Sequence, residues 1–452
     1  MSREKISDNM TVLKTLLTLS VPTVAEQLLS TLLQYVDTAM VGRLGENAAA
    51  AVSVTTTVTW LINSVPSAIS VAVLAMISKA VGSGDREKIR SVSAHTAAAV
   101  PAAGIFLTVI AAVLSPFIPV WMGADSSIQK QASLYFLIIT LPMLFRCSGV
   151  IFAAALRATS DMKTPMFINF GANVLNAALN YLLIYTCALG VTGAAIATAI
   201  SYILSGTLMF AAYRHNTLLQ TDLRLFKPER AVIREAASVS LPVLGTGTAS
   251  CLGYVVFASL VASMGNTVFA AHSIAVTAET FFYISGYGLR TAASAMTGMS
   301  LGERDGVKFE TVCRLSTAMT LIMMTVSGAV LYLAAQPLMS FFIKSEEAVT
   351  LGAQMLRLVA LSEPFYGLMI VTEGIFYGLG RTKYAFAVET FSMWCIRILL
   401  SGICVKLLGS GLREVWYCMI ADNIFKAVLF IIPVSTKALR EKLFTSELAK
   451  QP

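Results

Sequence analysis

The chain has 452 residues, 56% of them hydrophobic and 13% charged, with a net charge of +8 and a mean hydropathy of +0.74. Soluble domains carry about 25% charged residues, so this composition excludes an ordinary cytosolic enzyme. Apolar runs of about 20 residues or more recur along the whole chain and read as membrane-spanning helices.

Twelve such segments are predicted in chain order, with ends good to a few residues. They lie at 14–42, 47–78, 91–120, 128–156, 163–187 and 190–213, then at 236–264, 267–300, 309–337, 347–377, 383–407 and 412–436. The polar breaks alternate in charge. Of the 33 Lys and Arg, 23 fall in the N-terminus, 79–90, 157–163, 214–234, 302–314, 381–383 and the C-terminus. The opposite breaks hold only Arg43, Lys130, Lys344, Lys406 and Arg413. Lys and Arg accumulate on the cytoplasmic side, so both termini are expected in the cytoplasm of a multi-pass protein of the plasma (inner) membrane. No cleaved signal peptide is expected, because the first apolar segment is too long and lacks a small-residue cleavage site. The seven cysteines have no paired spacing and the three histidines are scattered, so neither a disulfide framework nor a metal cluster is expected.

Shifting the chain by 220 residues aligns Ser20–Lys88 with Ser240–Lys308 without a gap, with 17 of 69 positions identical. Chance in this composition gives roughly five. Pro22/Pro242, Gly45/Gly265, Ala50/Ala270, Ala51/Ala271, Gly82/Gly302, Asp85/Asp305 and Lys88/Lys308 carry the match, and Lys163 pairs with Lys383 at the same offset. A shift of six helices preserves orientation, so the halves are parallel repeats, an arrangement that suits transport by rocking one lobe against the other. The expected fold is an all-α integral membrane protein of twelve transmembrane helices in two parallel six-helix repeats. Residues 1–213 form the first lobe, 214–235 a basic cytoplasmic linker at the membrane surface, 236–436 the second lobe and 437–452 a cytoplasmic tail.

No Gly-x-x-x-x-Gly-Lys-Ser/Thr loop occurs, so transport is expected to draw on an ion gradient. That requires ion-binding groups inside the membrane, where they are costly. Asp37 stands near the outer, C-terminal end of the first helix, where an anion opposes the helix dipole. Its repeat partner is Phe257, so the fold does not require an acid there. Asn169, Asn173, Asn176 and Asn180, spaced 4, 3 and 4, share one helical face. Asp37, Asn180 and Thr198 lie at comparable depth. With Asn176 they supply a carboxylate, amide oxygens and a hydroxyl suited to Na+ or to a transferable proton. The same residue types also glue membrane helices together.

Glu279, Glu363 and Arg397 lie deep in segments 8, 10 and 11. Glu363 and Arg397 match in depth, so a mutual ion pair and a functional role are both open for them. Glu279 has no cation at its depth and is the better candidate to contact a cationic substrate. Glu373 and Glu389, near Arg381 and Lys383, read as solvated or paired, and Asp422 with Lys426 as a local i,i+4 pair. Aromatic residues such as Tyr283 and Tyr254, with Gln34 and the 20 methionines, suit adaptable binding of organic cations, although ordinary packing uses the same residues.

The stretch Ser20-Val21-Pro22 through Gln34-Tyr35-Val36-Asp37-Thr38-Ala39-Met40-Val41-Gly42-Arg43-Leu44-Gly45 resembles the first helix of multidrug and toxic compound extrusion (MATE) transporters. Ala270-Ala271-His272-Ser273-Ile274, the Gly82 and Gly302 loops and Asn176-Ala177-Ala178-Leu179-Asn180-Tyr181 are similar to the family as well. The resemblance spans essentially the whole chain. It implies a drug antiporter driven by H+ or Na+, with two six-helix lobes around a V-shaped cleft. It also implies a cation site made by Asp37, Asn176, Asn180 and Thr198, and a hinge at Pro22 in the first helix. One bacterial branch carries acids in helices 7 and 10 at positions that correspond approximately to Ser250 and Tyr366 here, which favours coupling through the first lobe.

The expected protein is therefore a monomeric secondary transporter in the lipid bilayer, exporting amphipathic, mostly cationic drugs without a cofactor and without a nucleic-acid partner. A flippase for a lipid-linked or polyanionic substrate would be expected to line its cleft with cations, whereas most Lys and Arg here lie at cytoplasmic edges. A major-facilitator antiporter would match only the Gly82-Ser83-Gly84-Asp85-Arg86 loop. A membrane-embedded enzyme would need a Ser/His, metal-ligand or paired-carboxylate constellation at common depth, and none is evident.

Overall fold

The computed structural model describes residues 3–220, 227–343 and 345–449, and among them there are helices and no strands. The helices of the first half are α1 (Arg3–Gly42), α2 (Glu46–Ser83), α3 (Arg86–Leu114), the single turn α4 (Ile118–Trp121), α5 (Ser126–Thr140), α6 (Met143–Ala158), α7 (Lys163–Asn180) and α8 (Gly190–His215). Those of the second half are α9 (Arg230–Ala262), α10 (Asn266–Gly302), α11 (Gly306–Phe342), α12 (Glu346–Ala360), α13 (Glu363–Gly378), α14 (Thr382–Phe391), α15 (Leu399–Lys406) and α16 (Leu412–Ser435), followed by α17 (Lys437–Leu448). A π-helical stretch, Tyr181–Thr186, extends α7, and another, Ser392–Ile398, joins α14 to α15.

Among the described residues ten helices are long and apolar enough to cross a membrane, and two bent pairs, α5 with α6 and α12 with α13, raise the number to twelve when each pair is counted as one span. The predicted fourth and tenth segments are therefore broken, by 48° and 55°. Each break has a proline at or beside it, Pro142 in the first and Pro364 just after the second, and proline cannot continue a helix smoothly. The offset of 220 reaches beyond the aligned stretch: Thr140 and Ala360 end one member of each pair, and Met143 and Glu363 begin the next. Large apolar side chains such as Leu333 and Phe341 face outward, which suits a lipid environment.

Physical chemistry explains which residues the repeats kept identical. Gly45 and Gly265 adopt φ of 104° and 112° in the matching turns before α2 and α10, a region that only glycine enters freely. Asp85 accepts a hydrogen bond from the Lys88 N–H at 2.9 Å and so caps α3, and Asp305 does the same for Val307 and Lys308 at the start of α11.

The chain packs as two compact units, Leu28–Leu244 and Met1–Gln27 together with Gly245–Pro452. Each includes the beginning of the other half's first helix. In the first unit the start of α9 is held by Glu229, which accepts from Ser91 at 2.7 Å and donates its N–H to His95 Nε2 at 2.8 Å, and by the Lys79–Glu235 pair. In the second unit Asn9 of α1 accepts from Thr311 and Arg314, and Thr23 Oγ lies 2.8 Å from the Gly288 carbonyl. Helix α1 is continuous across Pro22. The tail contains α17, tied to α11 by Arg440–Glu310 at 2.7 Å and to the residue before α14 by Arg381–Glu447. Part of the expected linker, 221–226, and the last residues of the tail, 450–452, lie outside the described residues, as does Lys344.

Candidate functional site

In the unit Leu28–Leu244, four sequence-predicted residues form one connected chain of polar groups. Asn180, fully buried at the end of α7, donates from Nδ2 to Asp37 Oδ1 and to Asn176 Oδ1, the latter at 3.3 Å. Asn176 Nδ2 in turn lies 3.4 Å from Thr198 Oγ on α8. Helical spacing explains the arrangement, because residues four apart in α7 point the same way. The π-helical stretch starts at the next residue, Tyr181, and an inserted residue of this kind re-aims the side chains around it.

Asn180 Oδ1 is buried and has no hydrogen-bond partner. A free amide oxygen beside a carboxylate is a pair of acceptors with nothing donating to one of them, which a cation or an added proton would satisfy. The other amides go elsewhere: Asn173 donates to Ser30 Oγ at 3.0 Å, and Asn169 Oδ1 accepts from Ser205 at 2.9 Å. Tyr135 stands within electrostatic reach of both Asp37 and Tyr202. Arg146 stacks over the Tyr202 ring at 4.7 Å and donates to Asn63. These residues escaped sequence reasoning, because a lone tyrosine or arginine in an apolar run has no periodicity to mark it.

The unit that contains Gly245–Pro452 buries a larger set of charges. Arg397 does not pair with Glu363. It binds Asp422 at 2.8 Å and Asn423 at 3.0 Å. Lys426 bridges Glu389 at 3.0 Å and Asp422 at 3.2 Å, so the expected local pair is part of a four-residue network, with Ser392 donating to Asp422 as well. Glu373 is bound by Arg290 at 2.8 Å and by the Tyr377 hydroxyl at 2.6 Å, away from Arg381 and Lys383. Equal depth was a poor guide to pairing because the π-helical stretch turns Arg397 toward α16. A buried acid in α1, Glu26, also went unnoticed in the sequence.

The residues proposed to touch substrate divide between the units. Glu279, Tyr283 and Tyr254 share the second unit: Glu279 is buried, Tyr254 lies 5.3 Å from the Arg397 guanidinium, and Tyr283 packs edge-on to Tyr366 at 4.9 Å. Gln34 belongs to the first unit and is exposed. Among the described residues no group of His, Cys, Asp and Glu is arranged to hold a metal ion.

The MatE family profile matches this chain twice, over residues 22–182 and 242–403, at starts 220 residues apart, as the internal repeat requires. A relative described as a probable multidrug resistance protein NorM, from Thermotoga maritima, is 24% identical over 444 residues, covering 97% of this chain and 96% of the relative. Multidrug resistance protein MdtK from Yersinia pseudotuberculosis is 25% identical over 470 residues, with 97% and 96% covered. A solved structure described as the outward-facing conformation of a multidrug resistance MATE family transporter of the MOP superfamily superimposes with a TM-score of 0.91 at 22% identity, covering 97% of both chains. This chain is a multi-pass membrane protein, and it belongs to the MatE family of multidrug and toxic compound extrusion transporters.

Proposed function

We propose that this protein is a secondary multidrug efflux transporter that exports amphipathic, mostly cationic organic compounds in exchange for H+ or Na+ moving inward through the Asp37 site. The observation that carries the reading is Asp37 hydrogen-bonded to Asn180, whose own amide oxygen is buried and unpartnered. An acid at this depth costs free energy unless it is used, and the repeat partner Phe257 argues that packing alone does not require it. Asn176 and Thr198 extend the same polar chain and complete the oxygen set. Drug resistance in the names of relatives that align over nearly their whole length supports the substrate class.

Glu279 is the acid assigned to the cationic group of the substrate, with Tyr283, Tyr254 and Gln34 supplying aromatic and polar contacts. Pro22 leaves an unbonded carbonyl within α1 and is the assigned hinge. The lobes 1–213 and 236–436, joined by 214–235, are the moving bodies, and the monomer sits in the plasma membrane with both termini in the cytoplasm.

The test uses proteoliposomes with a fluorescent organic cation and either a pH gradient or a Na+ gradient imposed. One of the two gradients should drive transport in the wild type, and Asp37→Asn should abolish that dependence while inserting normally. Transport that responds to neither gradient, or a well-inserted Asp37→Asn variant with undiminished transport, would sink the reading.

A further inference from the structure

The second unit contains an acid whose chemistry is unaccounted for. Glu363 is 1% exposed, and neither of its carboxyl oxygens has a hydrogen-bond partner. It is the first residue of α13, at the break in the tenth span, where an anion would ordinarily draw on free N–H groups. That source is closed. Pro364 has no N–H, and the N–H groups of Phe365 and Tyr366 are both bonded to the Ser362 carbonyl.

The buried cations described in this unit have other partners. Arg397 is engaged by Asp422 and Asn423, Lys426 by Glu389 and Asp422, and Arg290 by Glu373. From α11, Gly328 and Ser327 face this region: a Cβ on Gly328 would lie 3.2 Å from Glu363 Cβ, and the Ser327 hydroxyl donates to the Phe282 carbonyl at 2.7 Å. The charged group that acts on Glu363 is another acid, Glu279 of α10, which is itself buried. The nearby phenols, Tyr283 on α10 and Tyr366 on α13, pack against each other. An ionised carboxylate with no donor, no cation and a like charge beside it is among the least favourable groups a protein interior can hold. The same acid with a proton on it is neutral, and that form is tolerated.

We propose that Glu363, with Glu279 as its like-charged neighbour, is a second proton-carrying site of this transporter, located in the C-terminal half and independent of Asp37. The enclosed state holds Glu363 as a carboxylic acid. When water or the cationic group of a substrate reaches the space between α10 and α13, the O–H bond breaks, the proton leaves to water and the carboxylate remains. The repeat partner of Glu363 is Met143, so the break in the helix does not itself require an acid. The site also differs from the positions corresponding to Ser250 and Tyr366, so it does not restore the second-lobe acids that this sequence lacks.

Infrared difference spectroscopy on the full-length protein in lipid nanodiscs reads the proton directly and needs no transport. The wild type should show a protonated-carboxyl stretch at neutral pH that Glu363→Gln lacks and Asp37→Asn keeps, and alkaline buffer should erase it. If Glu363→Gln fails to insert, Glu279→Gln gives the second reading. Removing the neighbouring acid changes the surroundings of the Glu363 carboxyl group, so its band should move. An unchanged band in Glu363→Gln overturns the proposal, as does an unmoved one in Glu279→Gln. A band that persists at every pH overturns it too, because Glu363 would then be a fixed neutral acid. The signal in Asp37→Asn separates failure here from failure of the Asp37 reading.

Discussion

The two halves place their helices at matching positions and differ in what they do with charge. In the first, the acid near the C-terminal end of α1 is Asp37, held by the Asn180 amide, with an unpartnered oxygen beside it. In the second, Phe257 stands at the matching position, beneath the Arg397 guanidinium at 5.8 Å. There, Asp422 and Lys426 occupy the positions that correspond to Tyr202 and Gly206. Gly206 lets α8 come so close to α6 that a Cβ there would lie 2.2 Å from the Phe145 carbonyl. One half packs backbone against backbone where the other installs an ion pair. The difference separates two uses of buried charge: Asp422 has cationic partners supplied by the chain, while Asp37 stands with Asn180, whose amide oxygen has no hydrogen-bond partner.

That contrast can be broken by substitution. Asp422→Asn should cost most, because it takes the carboxylate from Arg397 and leaves Lys426 with Glu389 alone. Removing one partner of a buried pair costs about 3–5 kcal/mol, visible as a large fall in the unfolding temperature of the purified protein. Asp37→Asn should leave the unfolding temperature nearly unchanged and act on transport instead. A coupling free energy of about 1–3 kcal/mol predicts a loss of gradient-driven efflux of about 5- to 150-fold. If both variants lost stability alike, the two acids would have the same structural use and the contrast would fail.

Two smaller effects sharpen it. Gly84 and Arg304 occupy the same turn in the two halves, with φ of 69° and 57°. Gly84→Ala should cost about 1–2 kcal/mol, the ordinary penalty of a side chain in the left-handed region, and unfolding measurements would show whether the first half tolerates what the second already bears. Asn176→Ala removes neutral hydrogen bonds to Asn180 and Thr198, each worth about 0.5–1.5 kcal/mol. It should weaken the driving ion's apparent affinity by a few-fold without changing insertion, as a titration of efflux against ion concentration would reveal.

Much of the site is legible in the order of the amino acids. The spacing of Asn176 and Asn180, the depth of Asp37 and the position of Thr198 are properties of regular helices, and all four side chains do meet. The pairing of Arg397 is not legible there. Depth along a helix says nothing about the direction a side chain takes around it, and the π-helical stretch at Ser392–Ile398 changes that direction. The isolation of Glu363 follows from the same event, because the cation that matches it in depth turns to Asp422.

Composition, segment length and the 220-residue offset are enough to establish a twelve-span α-helical membrane protein built from two like-oriented halves. They suffice because a bilayer allows few solutions: each crossing needs about 20 apolar residues, and every backbone polar group must be satisfied within the helix. Tertiary structure alone decides where the spans bend, which unit claims the start of α1 and of α9, and which buried charges find partners. Those outcomes depend on angles around helix axes and on distances between helices, and a linear pattern of residue types carries neither.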